Sequence, residues 1–201
     1  MKTILLFRHA KSDWETNVPD HERPLAARGR TAAVKMGRLV AAAESIPDRA
    51  IVSSAVRTRQ TIELAAEAGG WKGPARVTEA LYEATPEAVL REIQSEPDEA
   101  ACVVVVGHEP TTSRLAALLV GGGQFEVKTG AILRIDIPVV RWADVTAGRG
   151  ALAWMLAPAT VGIGEYRRLK KKAKHREEKA ANAAAKAAAK TRPPQHLDVV
   201  P

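Results

Sequence analysis

The stretch Thr3-Ile4-Leu5-Leu6-Phe7-Arg8-His9-Ala10-Lys11-Ser12 decides the fold. Residues 3–7 form a short run rich in branched and aromatic side chains, the pattern of a strand buried on both faces. It stops abruptly at an Arg-His pair. A strand of this kind belongs in the middle of a sheet. An arginine and a histidine at its end belong at the rim, where open α/β sheets bind ligands beyond the carboxyl ends of their strands. His9 is therefore a candidate nucleophile, and the other strand ends are the places to seek its partners.

Working outward, Asp13–Pro24 is polar and turn-rich and reads as a loop leaving the cleft. Thr31 is placed to cap a helix running to about Glu44, with Val34, Leu39 and Val40 on one face. Residues 50–52 make a second strand ending at Ser53-Ser54. A helix opens at Val56 and closes at Gly69-Gly70, as glycine after a helix predicts. Residues 75–77 are a third strand and 80–84 a loop. Thr85-Pro86 starts the next helix, with a Thr cap and Pro in the first turn. Ala101–Val106 is the plainest strand of the chain and ends at Gly107-His108. Thr111 or Thr112 caps the helix that follows, and Gly121-Gly122-Gly123 stops it. Residues 131–137 and 151–156 read as two last strands. Alternating strands and helices predict a single α/β domain over 1–164, with a mostly parallel central sheet and helices on both faces.

Composition narrows the function classes. The single Cys102 lies in an apolar run, so it reads as a core residue, with no disulfide and no metal-ligand spacing around it. No stretch approaches the ~20 apolar residues of a membrane helix, and the first residues do not form a signal peptide, so the expected place is the cytoplasm. The net charge of +7 is misleading. Glu165–Arg192 holds eleven Lys/Arg against three Glu, a surplus of eight, which leaves the rest of the chain near neutral. Residues 165–201 read as a basic Lys/Ala-rich tail, partly helical and then disordered. It is a solvated charge run or a contact for an anionic partner. It lacks the aromatic and large apolar residues that nucleic-acid stacking or membrane insertion would need.

The polar residues that follow strands form a constellation. The first strand gives Arg8 and His9, the second gives Ser53 and, one turn into the next helix, Arg57, and the fourth gives His108. Two arginines and two histidines on one rim make a hydrogen-bond-donating, positive pocket suited to a phosphate dianion. A histidine at its centre has the chemistry to carry a phosphoryl group covalently, if one ring nitrogen is bare and the other is fixed by an acceptor. The remaining cations would stabilise the transferring group. Glu83, on the loop after the third strand, is the best-placed proton donor, and Glu79 is the fallback. Arg23 either extends the pocket or is structural. Ser53 either bonds within the site or caps a helix, Arg59 reads as solvated, and His21, His175 and His196 read as exposed. No metal site and no glycine-rich phosphate loop is present in the pattern, and no cofactor is expected.

Five segments together resemble the histidine phosphatase superfamily, the phosphoglycerate mutase-like proteins. They are Arg8-His9-Ala10-Lys11-Ser12, Arg23-Pro24-Leu25 with Arg28-Gly29, Ser53–Thr61, Leu81-Tyr82-Glu83 and Gly107-His108-Glu109-Pro110. The likeness is greatest to the small SixA-type phosphohistidine phosphatases and covers about 1–160. It implies a three-layer sandwich, with His9 as the phosphorylated nucleophile and Arg8, Arg57 and His108 on the phosphoryl group. Glu83 would be the acid. Larger members carry Gly and Glu where this chain has Ala10 and Lys11, which argues against a sugar-phosphate mutase. No long insertion is present to build a substrate cap, so an open site for a phosphoprotein, phosphohistidine included, or for a small phosphorylated metabolite is expected. Two competing readings are a phospho-ligand binding module without turnover and a nucleic-acid binder driven by the tail.

Overall fold

The computed structural model describes residues 1–159 together with Arg168 and Lys171. Apart from those two residues the expected tail therefore lies outside the described residues, as do His175 and His196. Strands β1 (Lys2–Arg8), β2 (Arg49–Ser53), β3 (Ala75–Thr78), β4 (Cys102–Gly107), β5 (Ile132–Ile137) and β6 (Ala151–Leu156) form one sheet in the order β3-β2-β4-β1-β5-β6. The first four of these positions are parallel, whereas β5 and β6 add on antiparallel. The single α/β domain and its mostly parallel sheet are as the alternation of elements predicts.

Why β1 and β4 are central is visible in their burial. Ile4 and Leu6 of β1, with Val103 and Val105 of β4, pack into one apolar layer; Leu5, Phe7, Val104 and Val106 pack into the other. Side chains alternate across a strand, so a run with no polar residue must be covered on both sides. The first layer meets α3 (Pro86–Gln94) and α4 (Thr111–Val120) through Val89, Ile93, Leu115 and Leu119. The second meets α1 (Ala27–Ala42) and α2 (Val56–Gly69) through Met36, Leu39, Ile62 and Ala65. At Gly37 the two helices approach so closely that a Cβ would lie 2.0 Å from the Ala65 carbonyl oxygen. β1 thus hands the chain to a helix on one face and β4 to a helix on the other. The crevice between their carboxyl ends is a topological switch point.

Several local expectations are revised. Helix α1 begins at Ala27, a turn before Thr31, whose hydroxyl donates to the Ala27 carbonyl instead of capping. Its start is held by a tertiary contact, Ala26 N–H to the Lys11 carbonyl at 3.0 Å, which no local pattern encodes. Neither threonine caps α4: Pro110 is its N-cap, Thr111 donates to the Ala84 carbonyl and Thr112 to that of His108. Thr85 does cap α3, accepting from Ala88 N–H, with Pro86 in the first turn. Gly70 ends α2 at φ 69°. Part of the 80–84 loop is a 3-10 turn, Glu79–Leu81. Cys102 is half-buried at the start of β4, its thiol pushed up to about 12 by burial and by Asp48. Among the described residues no helix is long and apolar enough to cross a membrane.

Candidate active site

The register of the two central strands places the histidines. Arg8 pairs with Gly107 across β1 and β4, and His9 N–H donates to the Gly107 carbonyl at 3.0 Å. The next residue on each strand is a histidine, and the two imidazole centroids stand 5.2 Å apart. Arg8, His9, Arg57 and His108, expected at one rim from sequence, are together there.

His9 is 9% exposed. Its Nδ1 lies 2.8 Å from the Ala10 carbonyl oxygen, which can only accept. Nδ1 therefore carries the hydrogen and Nε2 the lone pair. Ala10 is itself anchored, its N–H donating to the Thr61 hydroxyl at 3.0 Å, while that hydroxyl donates to the Arg57 carbonyl at 2.6 Å. The His9 imidazole is pushed down to about 4, first by burial and then, against the Ala10 bond, by Arg57, Arg8 and Arg23. It is neutral, and so nucleophilic, at neutral pH. His108 is pushed down to about 3 by burial, His9 and Arg57. Arg57 Nη2 points to its Nδ1 at 3.3 Å, so the other nitrogen donates to the Ser53 hydroxyl at 2.8 Å. Ser53 is thus a partner of His108 and not a helix cap; α2 begins only after Ala55, which makes no side-chain cap.

Three guanidinium groups surround these rings. Arg57, in the first turn of α2, is 5% exposed. Arg8 donates Nη1–H to the Val127 carbonyl at 2.6 Å, and its burial lowers its proton affinity. Arg23 stacks on Trp14 with 3.6 Å from its central carbon to the ring centroid. Among the described residues none accepts from the buried Nε of any of the three. Buried donors are costly to leave unpaired, and three of them around one imidazole form a cradle for an anion with several oxygens.

Sequence reasoning missed Asp20, Tyr82 and His21. Asp20 opens the 3-10 turn Asp20–Glu22 and bridges Arg57, at 2.9 Å, to Arg23, at 2.6 Å; the Tyr82 hydroxyl donates to it at 2.9 Å. Its carboxyl is held below the usual range by the Tyr82 bond and by the two arginines, against a desolvation that acts the other way. The Asp-x-x-Arg spacing was the available signal, since residues three apart share a face of such a turn. His21 is half-buried, not exposed: it bonds the Ser54 hydroxyl at 2.8 Å and meets the Tyr82 ring edge-on at 4.9 Å. It was missed because its loop has no periodicity.

Beside the His108 imidazole lies a cavity of about 460 Å³, lined by Asp20, Arg57, Tyr82, Glu83, His108 and Glu109 among others. Glu83 is on its wall in a left-handed conformation, φ 51°, unusual for a residue with a side chain and costly enough to mark functional sites. Glu79, the fallback acid, is exposed and does not line this cavity. Arg59 is exposed on α2, as expected.

Comparison with known proteins fits this geometry. The family model for the histidine phosphatase superfamily, branch 1, matches residues 4–88. An uncharacterized protein of Mycobacterium tuberculosis is 37% identical over 163 residues, covering 75% of this chain and 99% of the relative. Among solved structures, the putative phosphohistidine phosphatase SixA from Nakamurella superposes with a TM-score of 0.70 at 27% identity, over 79% of this chain and 97% of that one. The putative SixA from Agrobacterium tumefaciens gives 0.66 at 26% identity, over 78% and 98%.

Proposed function

Because the chain belongs to the histidine phosphatase superfamily, we propose that it is a metal-independent phosphatase that works through a phosphohistidine on His9, with residues 1–164 as the catalytic unit. The observation that carries this reading is the state of His9: Nδ1–H fixed on the Ala10 carbonyl, Nε2 bare, and three buried guanidinium Nε groups without protein acceptors around it.

The steps follow from that arrangement. Nε2 attacks phosphorus as the bond to the leaving atom breaks, an oxygen in a phosphoester or a nitrogen in a phosphohistidine, and Glu83 gives that atom its proton. Arg8, Arg23 and Arg57 bear the charge on the equatorial oxygens, which is most of what phosphoryl transfer asks of a protein, and the neutral His108, anchored on Ser53, steadies Arg57 through its Nδ1. Water then attacks the phosphohistidine, the P–N bond breaks, and the Glu83 carboxylate takes the water's proton. The likeness to proteins described as putative phosphohistidine phosphatases supports a phosphohistidine-bearing protein as substrate. The open cleft equally admits small phosphomonoesters, and the proposed place of action is the cytoplasm.

The test is hydrolysis of p-nitrophenyl phosphate in EDTA, with and without His9. His9→Ala should lose at least about 10³-fold in kcat/KM, and radiolabelled substrate should leave acid-labile, base-stable phosphate on the unaltered protein. A purified, folded protein that turns over neither aryl phosphates nor phosphohistidine carriers, and traps no phosphate, would sink the proposal.

A further inference from the structure

A carboxylate is an unexpected neighbour for side chains that face a dianion, and Asp20 puts one among them. One of its oxygens forms an ion pair with Arg23 Nη2 at 2.6 Å. The other accepts from Arg57 Nη2 and from the Tyr82 hydroxyl, each at 2.9 Å. Its backbone carbonyl accepts from Arg57 Nη1 at 2.6 Å. A guanidinium offers two forks of donors. Asp20 takes the Nη1/Nη2 fork of Arg57 and one Nη of Arg23, and leaves the buried Nε of both without a protein acceptor. It thus holds both arginines through their Nη atoms.

Two further contacts make the arrangement stiff. Trp14 stacks on the guanidinium plane of Arg23. Tyr82, tied to Asp20, immediately precedes Glu83 with its left-handed backbone, and its ring also stands edge-on to His108 at 5.6 Å. Charge argues the same way. Arg8, Arg23 and Arg57 are all close enough to act on His9, so they repel one another, and a carboxylate shared by two of them offsets that repulsion.

We propose that Asp20 is a positioning residue: it joins Arg57, Arg23 and Tyr82 in one frame, and so aims the two guanidinium groups at the phosphate position and holds the Glu83 loop against the same rim. This rests on the phosphate-site reading above, and its test is a binding measurement that does not depend on turnover. Tungstate, a tetrahedral dianion, is titrated calorimetrically into the full chain, into Asp20→Ala, Asp20→Asn and Tyr82→Phe, and into the Asp20→Ala/Tyr82→Phe double variant.

Asp20→Ala should weaken tungstate binding about 10- to 100-fold, the size of effect seen when the supports of ligating side chains are removed. Asp20→Asn, which keeps the shape and guards against a folding defect, should fall between, because an amide oxygen serves one guanidinium and its NH₂ repels the other. Tyr82→Phe should cost about threefold alone and nothing further in the Asp20→Ala background, because residues acting through one another are not additive. KM for an aryl phosphate should rise in step with the tungstate Kd, which a general loosening of the fold would not produce. Unchanged or tighter binding in both Asp20 variants would mean that the carboxylate only competes with phosphate, and overturns the proposal. So would a Tyr82→Phe loss that persists in full without Asp20. A chain that binds tungstate but hydrolyses nothing defeats the phosphatase reading and leaves Asp20 to be judged on binding; one that binds no tungstate defeats both.

Discussion

The two ends of the same four parallel strands treat charge in opposite ways. At the amino end the arginines of β2 and β3 lie on carboxylates. Arg49 meets Glu96 at 2.7 Å, and Arg76 meets Glu92 at 2.5 Å and Glu96 at 2.9 Å. Lys2 is capped by the Asp98 and Ala100 carbonyls, and Asp48 accepts the Ala101 and Cys102 N–H groups. At the carboxyl end Arg23 and Arg57 share Asp20, and the buried Nε atoms of Arg8, Arg23 and Arg57 stay unpaired among the described residues, with two imidazoles forced neutral between them. One end uses charge to close a structure. The other holds cations and lone pairs in a state that only an incoming anion completes, as sites that trade stability for activity do.

The sharpest way to break this contrast is at Arg8. Replacement by Met keeps the bulk of the stem and removes a guanidinium whose burial already works against its charge. If the carboxyl end is built for an anion, Arg8→Met should lose about 10²- to 10³-fold in kcat/KM, while the thermal midpoint does not fall. A large drop in melting temperature together with retained turnover would place Arg8 with the structural charges of the other end.

Acid separates the ends next. In the unfolded chain both histidines titrate near the ordinary value of about 6.5. In the fold they sit at about 4 and about 3. Between these limits the unfolded state binds more protons, so stability rises with pH. It is complete above about 6.5 and is lost as pH falls toward 4, by about 3 kcal/mol for His9 alone. His9→Gln should flatten that part of the stability curve, as chemical denaturation at a series of pH values would show. Over the same range kcat/KM should rise as pH climbs through about 4 and the His9 Nε2 is freed.

How much of this was legible in the sequence depends on whether the signal was local. The order of elements was, because runs such as Val103–Val106 are β-branched throughout and end at a glycine. Arg8, His9, Arg57 and His108 were legible too, since parallel strands force their ends onto one rim. Asp20 and His21 were not. They lie in an aperiodic loop, and what gives them partners is the distance of that loop from Ser54, Arg57 and Tyr82 in space. The starts of α1 and α4 were misplaced for the same reason: threonines that look like caps are used instead on neighbouring carbonyls. Glu83 was legible as a residue type, but its left-handed backbone was not.

That backbone supplies a smaller test. Glu83→Gln keeps the size of the side chain and removes the proton. For substrates with a basic leaving oxygen kcat should fall about 10- to 100-fold, and for p-nitrophenyl phosphate, whose leaving group needs no proton, hardly at all. Equal losses on both would assign Glu83 to positioning. An unchanged rate on both would leave the acid to be found elsewhere on the cavity wall.

The mildest change belongs to the amino end. Glu96 has a side chain only 3% exposed and serves two arginines that are themselves 32% and 38% exposed. Removing one partner of a fully buried pair costs several kcal/mol, but solvent reaches both guanidinium groups here and screens much of that loss. Glu96→Gln should therefore cost about 1 kcal/mol, a fall of several degrees in the thermal midpoint for a domain of this size. Glu96 lies at the far end of the strands from His9, so kcat and KM should not move. If they do, the two ends are coupled through the sheet, and the division between a closed end and a poised one does not hold.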